Sequence, residues 1–421
     1  MFNLRSGRLT IGSSDQELVN ICKNQNDAFY LYDFDELRFR LELFRSLFVN
    51  HGVDVHFAMK ANNNKHVLQL IGDYGLGADV VSGGEMQLAL DSGVAPQKIV
   101  FSGVAKSHSE IDLAIRTKVK SLNVESVPEL KRIIIIGRQT QEKLGSAYQP
   151  VRICLRVNPD VDPKTHPYIS TGFKDNKFGM SPEEVNDCLQ LLLDAKGQIE
   201  LMGLTVHIGS QILDMTTFDM AFDKTLAIVS LVKSKGFSIT HLDLGGGLGI
   251  DYHESNHEKD ETLIREYAKK VLDFQTKSGL KISVEPGRCL VARMGVLMAK
   301  VEYIKTTPFK TFVIVNTGMH HLLRPSLYQA QHRIVPAVVQ ASKSGTNNEE
   351  SFVCDLVGPI CESSDVIARE VSLPNCLAEG DWLAILDAGA YGKVMGSNYN
   401  LQPVAKEICF DKGEIKGEMY D

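Results

Sequence analysis

No stretch of this 421-residue chain approaches the run of about 18 or more apolar residues that a membrane-spanning helix needs. The opening, MFNLRSGRLTIG, has neither the long apolar stretch nor the small-residue cleavage site of a secretory leader. CxxC pairs are missing, and the eight cysteines are scattered, with no His and Cys grouped at metal-ligand spacing. These gaps argue against structural zinc and for a reducing, cytoplasmic setting. An excess of basic residues is missing as well. The formal net charge is -7, which speaks against a nucleic-acid-binding surface and suits a cationic or zwitterionic small substrate. What remains is ordinary globular composition, 43% hydrophobic and 23% charged, over a length that predicts two domains.

The informative feature is a repeat of short β-rich apolar runs with helical segments between them. Eight runs stand at 54–61, 77–81, 98–102, 121–125, 151–157, 201–207, 240–244 and 281–285. Ser107 with Glu110, Ser126 with Glu129 and Ser181 with Glu184 have capping-box spacing, and Pro182 suits a first helical position. Gly75, Gly93, Gly236 and Gly279 stand where a left-handed residue closes a helix. Alternation of this kind means a parallel sheet. A doubly wound open sheet is the competing architecture. Eight similar units with no point of strand-order reversal favour a closed (β/α)8 TIM barrel, an α/β fold, over 35–290.

After about residue 290 the texture changes. Apolar runs at 301–304, 311–315, 334–339, 352–357 and 382–386 follow one another without amphipathic helices, and 342–350 reads as a hairpin loop. The pattern predicts an antiparallel β domain over 291–421. Strand-like pieces at 8–11 and 28–33 predict that residues 1–34 pack with it.

Active sites of such barrels lie at the C-terminal ends of the strands. Gly245, Gly246 and Gly247 follow strand seven, and Gly287-Arg288 follows strand eight, the usual location of a phosphate site. Glycine lets backbone N–H groups approach phosphate, and Arg288 can add a charge-assisted contact. A single such loop is more often a plain turn; two at adjacent positions reverse that judgement. Lys60 closes strand one, which a closed barrel places beside strand eight. Most lysines are solvated surface groups. This one directly follows the apolar run 55–59, so it leaves the core, and a lysine beside a phosphate-bearing cofactor points to covalent attachment of pyridoxal phosphate. Lys106, after strand three, is the rival. Glu285 is placed to keep the cofactor's pyridine nitrogen protonated, which makes the ring a strong electron sink. His207 could stack on that ring and Ser210 could donate to the phosphate. Alone, His207 reads as a hydrogen-bonded core histidine, and only its barrel position argues otherwise.

Nine motifs in order carry a resemblance: FAMKAN (57–62), GADVVSGGE (77–85), VFSGV (100–104), HIGSQI (207–212), LDLGGGLGI (242–250), EPGR (285–288), RPSLY (324–328), VGPICESSD (357–365) and DAGAYG (387–392). Together they resemble the decarboxylases among the alanine-racemase-like (fold type III) pyridoxal-phosphate enzymes, over about 29–408. The resemblance implies that Lys60 bonds the cofactor and His207 stacks on it, while Glu285 pairs with its pyridine nitrogen. Ser210, Gly246, Gly247, Gly287 and Arg288 would surround the phosphate, with Tyr391 close by. Asp79, Glu85 and Arg156 match positions that organise the ring side. Arg288, Arg324 and Tyr328 match residues that hold a distal carboxylate, and Tyr391 also borders the substrate. Cys361 and Glu362 match residues that reach into a neighbouring subunit's site, the thiol as proton donor and the carboxylate for a distal ammonium. A homodimer with shared sites is thereby implied.

A distal cation-and-anion pair of partners suits an amino acid with a second amino-carboxylate centre. The implied activity is decarboxylation of meso-2,6-diaminopimelate to L-lysine, the last step of lysine biosynthesis. Decarboxylation of L-ornithine, L-lysine or L-arginine on the same scaffold is the alternative; those substrates leave Arg324 with no partner. Racemisation favours an arginine at the pyridine nitrogen, so Glu285 opposes it. Cys289, where the family more often has a small hydroxyl residue, and Asn26-Asp27 before Ala28, in place of Thr-Pro, are minor departures.

Overall fold

The computed structural model describes residues 2–5, 7–11, 15–161, 176–254, 256–339 and 350–419. The chain forms two compact units, one of Leu41–Ile250 and His257–Cys289, the other of Met1–Arg40, Asp251–Asn256 and Leu290–Asp421.

In the first unit eight parallel strands close into a barrel: Asp54–Ala58, Gly77–Val80, Ile99–Phe101, Ser121–Val124, Val151–Val157, Ile199–Val206, His241–Asp243 and Lys281–Val284. The eighth returns to the first, with Ser283 opposite Asp54 and Val284 opposite Val55. Closure removes the open doubly wound sheet from consideration. Several expected spans run past the observed strands, because the polar residues at the rim already belong to turns. Strand one ends at Ala58, and Lys60 stands on the 3-10 turn Met59–Ala61 that follows it.

The helix ends follow local chemistry. Ser107–Glu110 and Ser181–Glu184 form full capping boxes. Ser126 accepts the Glu129 N–H, but the Glu129 carboxylate turns elsewhere, to the Glu125 N–H at 2.7 Å and to Lys106. Gly75, Gly93, Gly236 and Gly279 all have positive φ at their helix C-termini.

The second unit is built on a nine-stranded sheet, in the order Val366–Pro374, Ser351–Val357, Thr311–Val315, Gly295–Thr306, Phe29–Asp33, Lys406–Asp411, Glu414–Met419; Trp382–Ile385 branches from Gly295–Thr306 and carries Ile334–Val338. Most pairings are antiparallel. Two are parallel: Thr311–Val315 with Ser351–Val357, and Phe29–Asp33 with Lys406–Asp411. Phe29–Asp33 is buried along its whole length, and its Phe29 and Leu31 share a core with Ile11, Met298, Trp382 and Phe410. Three further strands, Val366–Pro374, Lys406–Asp411 and Glu414–Met419, and the helix Asp15–Lys23 were not expected, since none of them carries a long apolar run. The hairpin loop expected at 342–350 lies outside the described residues except for Glu350. Among the described residues no helix is long and apolar enough to cross a membrane.

Candidate active site

The barrel rim gathers Lys60, Arg156, His207, Arg288 and several carboxyls. Lys60 is half-buried, and its charge acts on Asp79, Glu85, His207 and Glu285. Asp79, near the end of strand two, is 1% exposed; burial pushes its carboxyl pKa up, and Lys60 opposes that rise. Burial likewise raises Glu85, whose Oε2 accepts the Val81 N–H at 2.8 Å and so closes the turn after the strand. Arg156, on strand five, donates to Glu125 Oε1 and lies over the Phe178 ring at 4.9 Å, while Glu125 Oε2 accepts the Gly179 N–H at 3.0 Å.

Glu285 directly follows strand eight. It is 5% exposed, and Oε1 has no hydrogen-bond partner among the described residues. Burial, reinforced by Asp243 and Asp79, pushes its pKa well above the usual carboxylate range, against Lys60 and Arg156. His207 follows strand six. Its Nδ1 accepts the Gly246 N–H at 3.1 Å, which leaves the proton of the neutral ring on Nε2. Burial, with Lys60 and Arg156 nearby, drives the imidazole pKa well down, so the ring is neutral.

The glycine loop is shaped by contacts that only glycine permits. Gly245 has φ +66, and a Cβ on Gly246 would stand 2.3 Å from the Glu285 carbonyl oxygen. The Gly245 carbonyl accepts the Glu285 N–H at 2.7 Å, and the Gly247 carbonyl accepts the Ile212 N–H at 2.9 Å, joining the loops after strands six, seven and eight. Arg288 Nη2 donates to Ser210 Oγ at 3.0 Å across the same loops. Gly287 is buried beside it.

Lys106, the rival lysine, is a structural group. Its ammonium donates to the Gly103 and Asn123 carbonyls at 2.7 Å each and to Glu129 Oε1 at 2.8 Å. All three protons are taken.

The remaining predicted residues belong to the second unit. Arg324 opens the short helix Arg324–Tyr328 and is 5% exposed; its guanidinium lies over the Tyr252 ring at 4.4 Å and meets His332 Nε2 at 2.6 Å. His332 Nδ1 donates to the Leu386 carbonyl at 2.8 Å, so Nε2 is the acceptor. Tyr328 is half-buried on the same helix. Cys361 and Glu362 are exposed; the Cys361 N–H donates to Asn400 Oδ1 at 3.1 Å, and the Tyr399 hydroxyl donates to Glu362 Oε1 at 2.7 Å. Tyr391 sits in a left-handed turn at φ 55, four residues after Asp387, which pairs with Arg293 at 2.7 Å.

Sequence reasoning gave no role to several supporting residues. Asp365 is buried and shapes the loop before it, with its oxygens on the Met319 N–H at 2.6 Å and the Ile360 N–H at 2.7 Å. Asp243 and Ser283 lie beneath the glycine loop, and Tyr252 and His332 hold Arg324. Asp243 and Asp365 stand inside motifs already noted; Tyr252 and His332 carry no local signal at all.

An eight-stranded barrel with a rim lysine, a buried carboxyl within its electrostatic reach and a glycine cradle after strands seven and eight defines an α/β enzyme built around an anionic cofactor. Residues 34–292 match the family described as pyridoxal-dependent decarboxylase, pyridoxal binding domain. The chain belongs to the pyridoxal-dependent decarboxylases. It is 38% identical to the diaminopimelate decarboxylase of Aquifex aeolicus over 98% of this chain and 93% of that one, and 41% identical to that of Helicobacter pylori over 92% and 91%. The solved structure of diaminopimelate decarboxylase from Helicobacter pylori complexed with L-lysine superposes with a TM-score of 0.85 at 38% identity, covering 94% of this chain and 95% of that one.

The residues present fit pyridoxal phosphate. The buried Glu285 carboxyl has an Oε1 with no hydrogen-bond partner among the described residues, as a pyridine N–H would require, and the Gly245–Gly247 turn leaves no room for side chains where a phosphate would be cradled.

Proposed function

We propose that this chain decarboxylates meso-2,6-diaminopimelate to L-lysine and CO2, as a cytoplasmic homodimer whose two sites are shared. The observation that carries the reaction type is Glu285: a buried carboxyl after strand eight in the electrostatic field of Lys60. Bound pyridoxal phosphate supplies the electron sink that accepts the electron pair left at Cα when CO2 departs.

The protein's own groups do the rest. Lys60 Nζ would anchor the cofactor covalently at the barrel mouth. Glu285 holds a proton at the pyridine nitrogen, and neutral His207 offers a flat face to the ring. Gly246, Gly247, Gly287, Ser210 and Arg288 hold the phosphate, with Tyr391 beside it, while Asp79, Glu85 and Arg156 fix the ring side. Arg324 and Tyr328, aided by Arg288, take the distal carboxylate. Glu362 takes the distal ammonium, and the Cys361 thiol returns a proton to Cα. Both of those side chains are exposed on a single chain, which supports their service to a second copy.

The support for this substrate is the pairing of a held cation, Arg324, with an anion, Glu362, and the names of relatives that match over nine-tenths of the chain. The eight free cysteines support a reducing compartment. The test is CO2 release by the purified protein with added pyridoxal phosphate, comparing meso-diaminopimelate with L-ornithine, L-lysine and L-arginine. Preferred turnover of any of the latter three would overturn the substrate assignment.

A further inference from the structure

Asp243 ends strand seven immediately before the glycine loop and is 4% exposed. A buried carboxylate needs hydrogen bonds to offset its desolvation, and this one has two of unlike kind. One oxygen accepts the Gly245 N–H at 2.8 Å; the other accepts the Ser283 hydroxyl at 2.7 Å. Ser283 lies opposite Asp243 on strand eight, two residues before Glu285. Gly245 then passes the constraint on: its carbonyl accepts the Glu285 N–H at 2.7 Å, and the next amide, of Gly246, donates to His207 Nδ1 at 3.1 Å. Gly245 holds φ +66, a conformation that an isolated chain has little reason to keep.

We infer that Asp243 is a positioning residue for the reaction: by gripping Gly245 and Ser283 together it fixes the turn from which both Glu285 and His207 are oriented. The inference rests on the proposed function, since it assumes that those two residues face a bound ring. Electrostatics gives a reason why the position is costly and yet used. Burial raises the Asp243 pKa, and its charge in turn raises those of two further buried acids, Asp79 and Glu285. A carboxyl placed only to fill the core would make the barrel less stable than an apolar residue of similar size.

Three variants of the full-length protein test this: Asp243→Asn, Asp243→Ala and Ser283→Ala. Asparagine keeps both contacts, its oxygen for Gly245 N–H and its amide for Ser283 Oγ, and loses only the charge. Alanine loses both. Asp243→Ala is expected to weaken pyridoxal phosphate binding, measured by equilibrium dialysis, about ten-fold or more and to lower kcat by a similar factor, with KM within about two-fold. Asp243→Asn is expected to recover both to within about three-fold of wild type. Ser283→Ala, which leaves Gly245 held, is expected to fall between them and stands in if Asp243→Ala does not fold. An Asp243→Asn protein as impaired as Asp243→Ala, or an Asp243→Ala protein with wild-type cofactor affinity and kcat, overturns the inference. Cofactor affinity is read without substrate, so an error in the substrate assignment leaves this test standing. Wild-type protein that binds no pyridoxal phosphate would instead overturn the functional reading itself.

Discussion

Lys106 Nζ lies 2.8 Å from Glu129 Oε1, and the pair separates the two lysines at the barrel rim by role. The Lys106 side chain is 1% exposed, so its charge is held by that carboxylate and two carbonyls rather than by water. Lys60 is only half-buried, on a turn at the mouth of the barrel.

Opposite phenotypes follow for the two lysines. Lys60→Ala is expected to fold normally and to lose activity by about a thousand-fold or more, because it removes the covalent anchor. Its cofactor absorbance should no longer be fixed by borohydride. Lys106→Met is expected to destabilise the protein by roughly 3–5 kcal/mol in urea unfolding, because Glu129 is left buried and uncompensated. Whatever fraction folds should still react with borohydride. Normal turnover by Lys60→Ala would end the assignment of the anchor.

Why Lys60 was legible beforehand and the Lys106 ion pair was not is a matter of range. Lys60 is marked by the apolar run just before it, and the capping boxes at Ser107 and Ser181 by three-residue spacing. Each strand-turn-helix unit writes its own signals within about thirty residues, so the barrel could be read unit by unit. Ser126 has the same spacing, yet Glu129 leaves the box to hold a lysine 23 residues earlier, a contact no local pattern encodes. The Arg324 clamp is the same case at longer range, since Tyr252 lies 72 positions away on the other side of strand eight (positions 252 and 324). Short strands such as Lys406–Asp411 pair with Phe29–Asp33 almost a full chain length away, and their apolar runs are too brief to announce it.

The Arg324 clamp makes a prediction about substrate shape. A guanidinium stacked on Tyr252 and bonded to His332 is planar and pre-oriented, and lysine reproduces neither property. Arg324→Lys is therefore expected to raise KM for meso-diaminopimelate about ten-fold or more while kcat stays within about three-fold, since the distal end is remote from the bond that breaks. Steady-state kinetics on the purified variant decide it. An unchanged KM would return Arg324 to a structural role.

His320 gives a pH-dependent one. It is 1% exposed, neither ring nitrogen has a hydrogen-bond partner among the described residues, and burial, with the tilted His321 ring 3.8 Å away, lowers its pKa to about 4. In the unfolded chain the value is about 6.5. The folded state thus resists protonation, so the neutral ring's contribution is fully present above about pH 6.5 and is lost as pH falls toward 4. Between pH 7 and pH 5 the loss is on the order of 2 kcal/mol. Urea midpoints at the two pH values should differ less for His320→Leu than for wild type. Equal differences would mean that the ring is already protonated or solvated in the native protein.

The shared site makes the last prediction. Cys361 and Glu362 stand on a loop braced by Asp365, with Tyr399 and Asn400 holding them from the side, yet both side chains face outward from their own chain. A loop so firmly fixed around two exposed reactive groups suits a surface that completes another copy's site. Lys60→Ala and Cys361→Ala proteins, each nearly inactive alone, should regain activity when mixed under conditions that exchange subunits. A mixed dimer carries one site with both defects and one with neither, and random mixing makes half of all dimers mixed, so recovery should approach about one quarter of wild-type activity per chain. Subunit exchange is verified independently with differently tagged chains. Exchange without recovered CO2 release would place Cys361 in its own chain's chemistry.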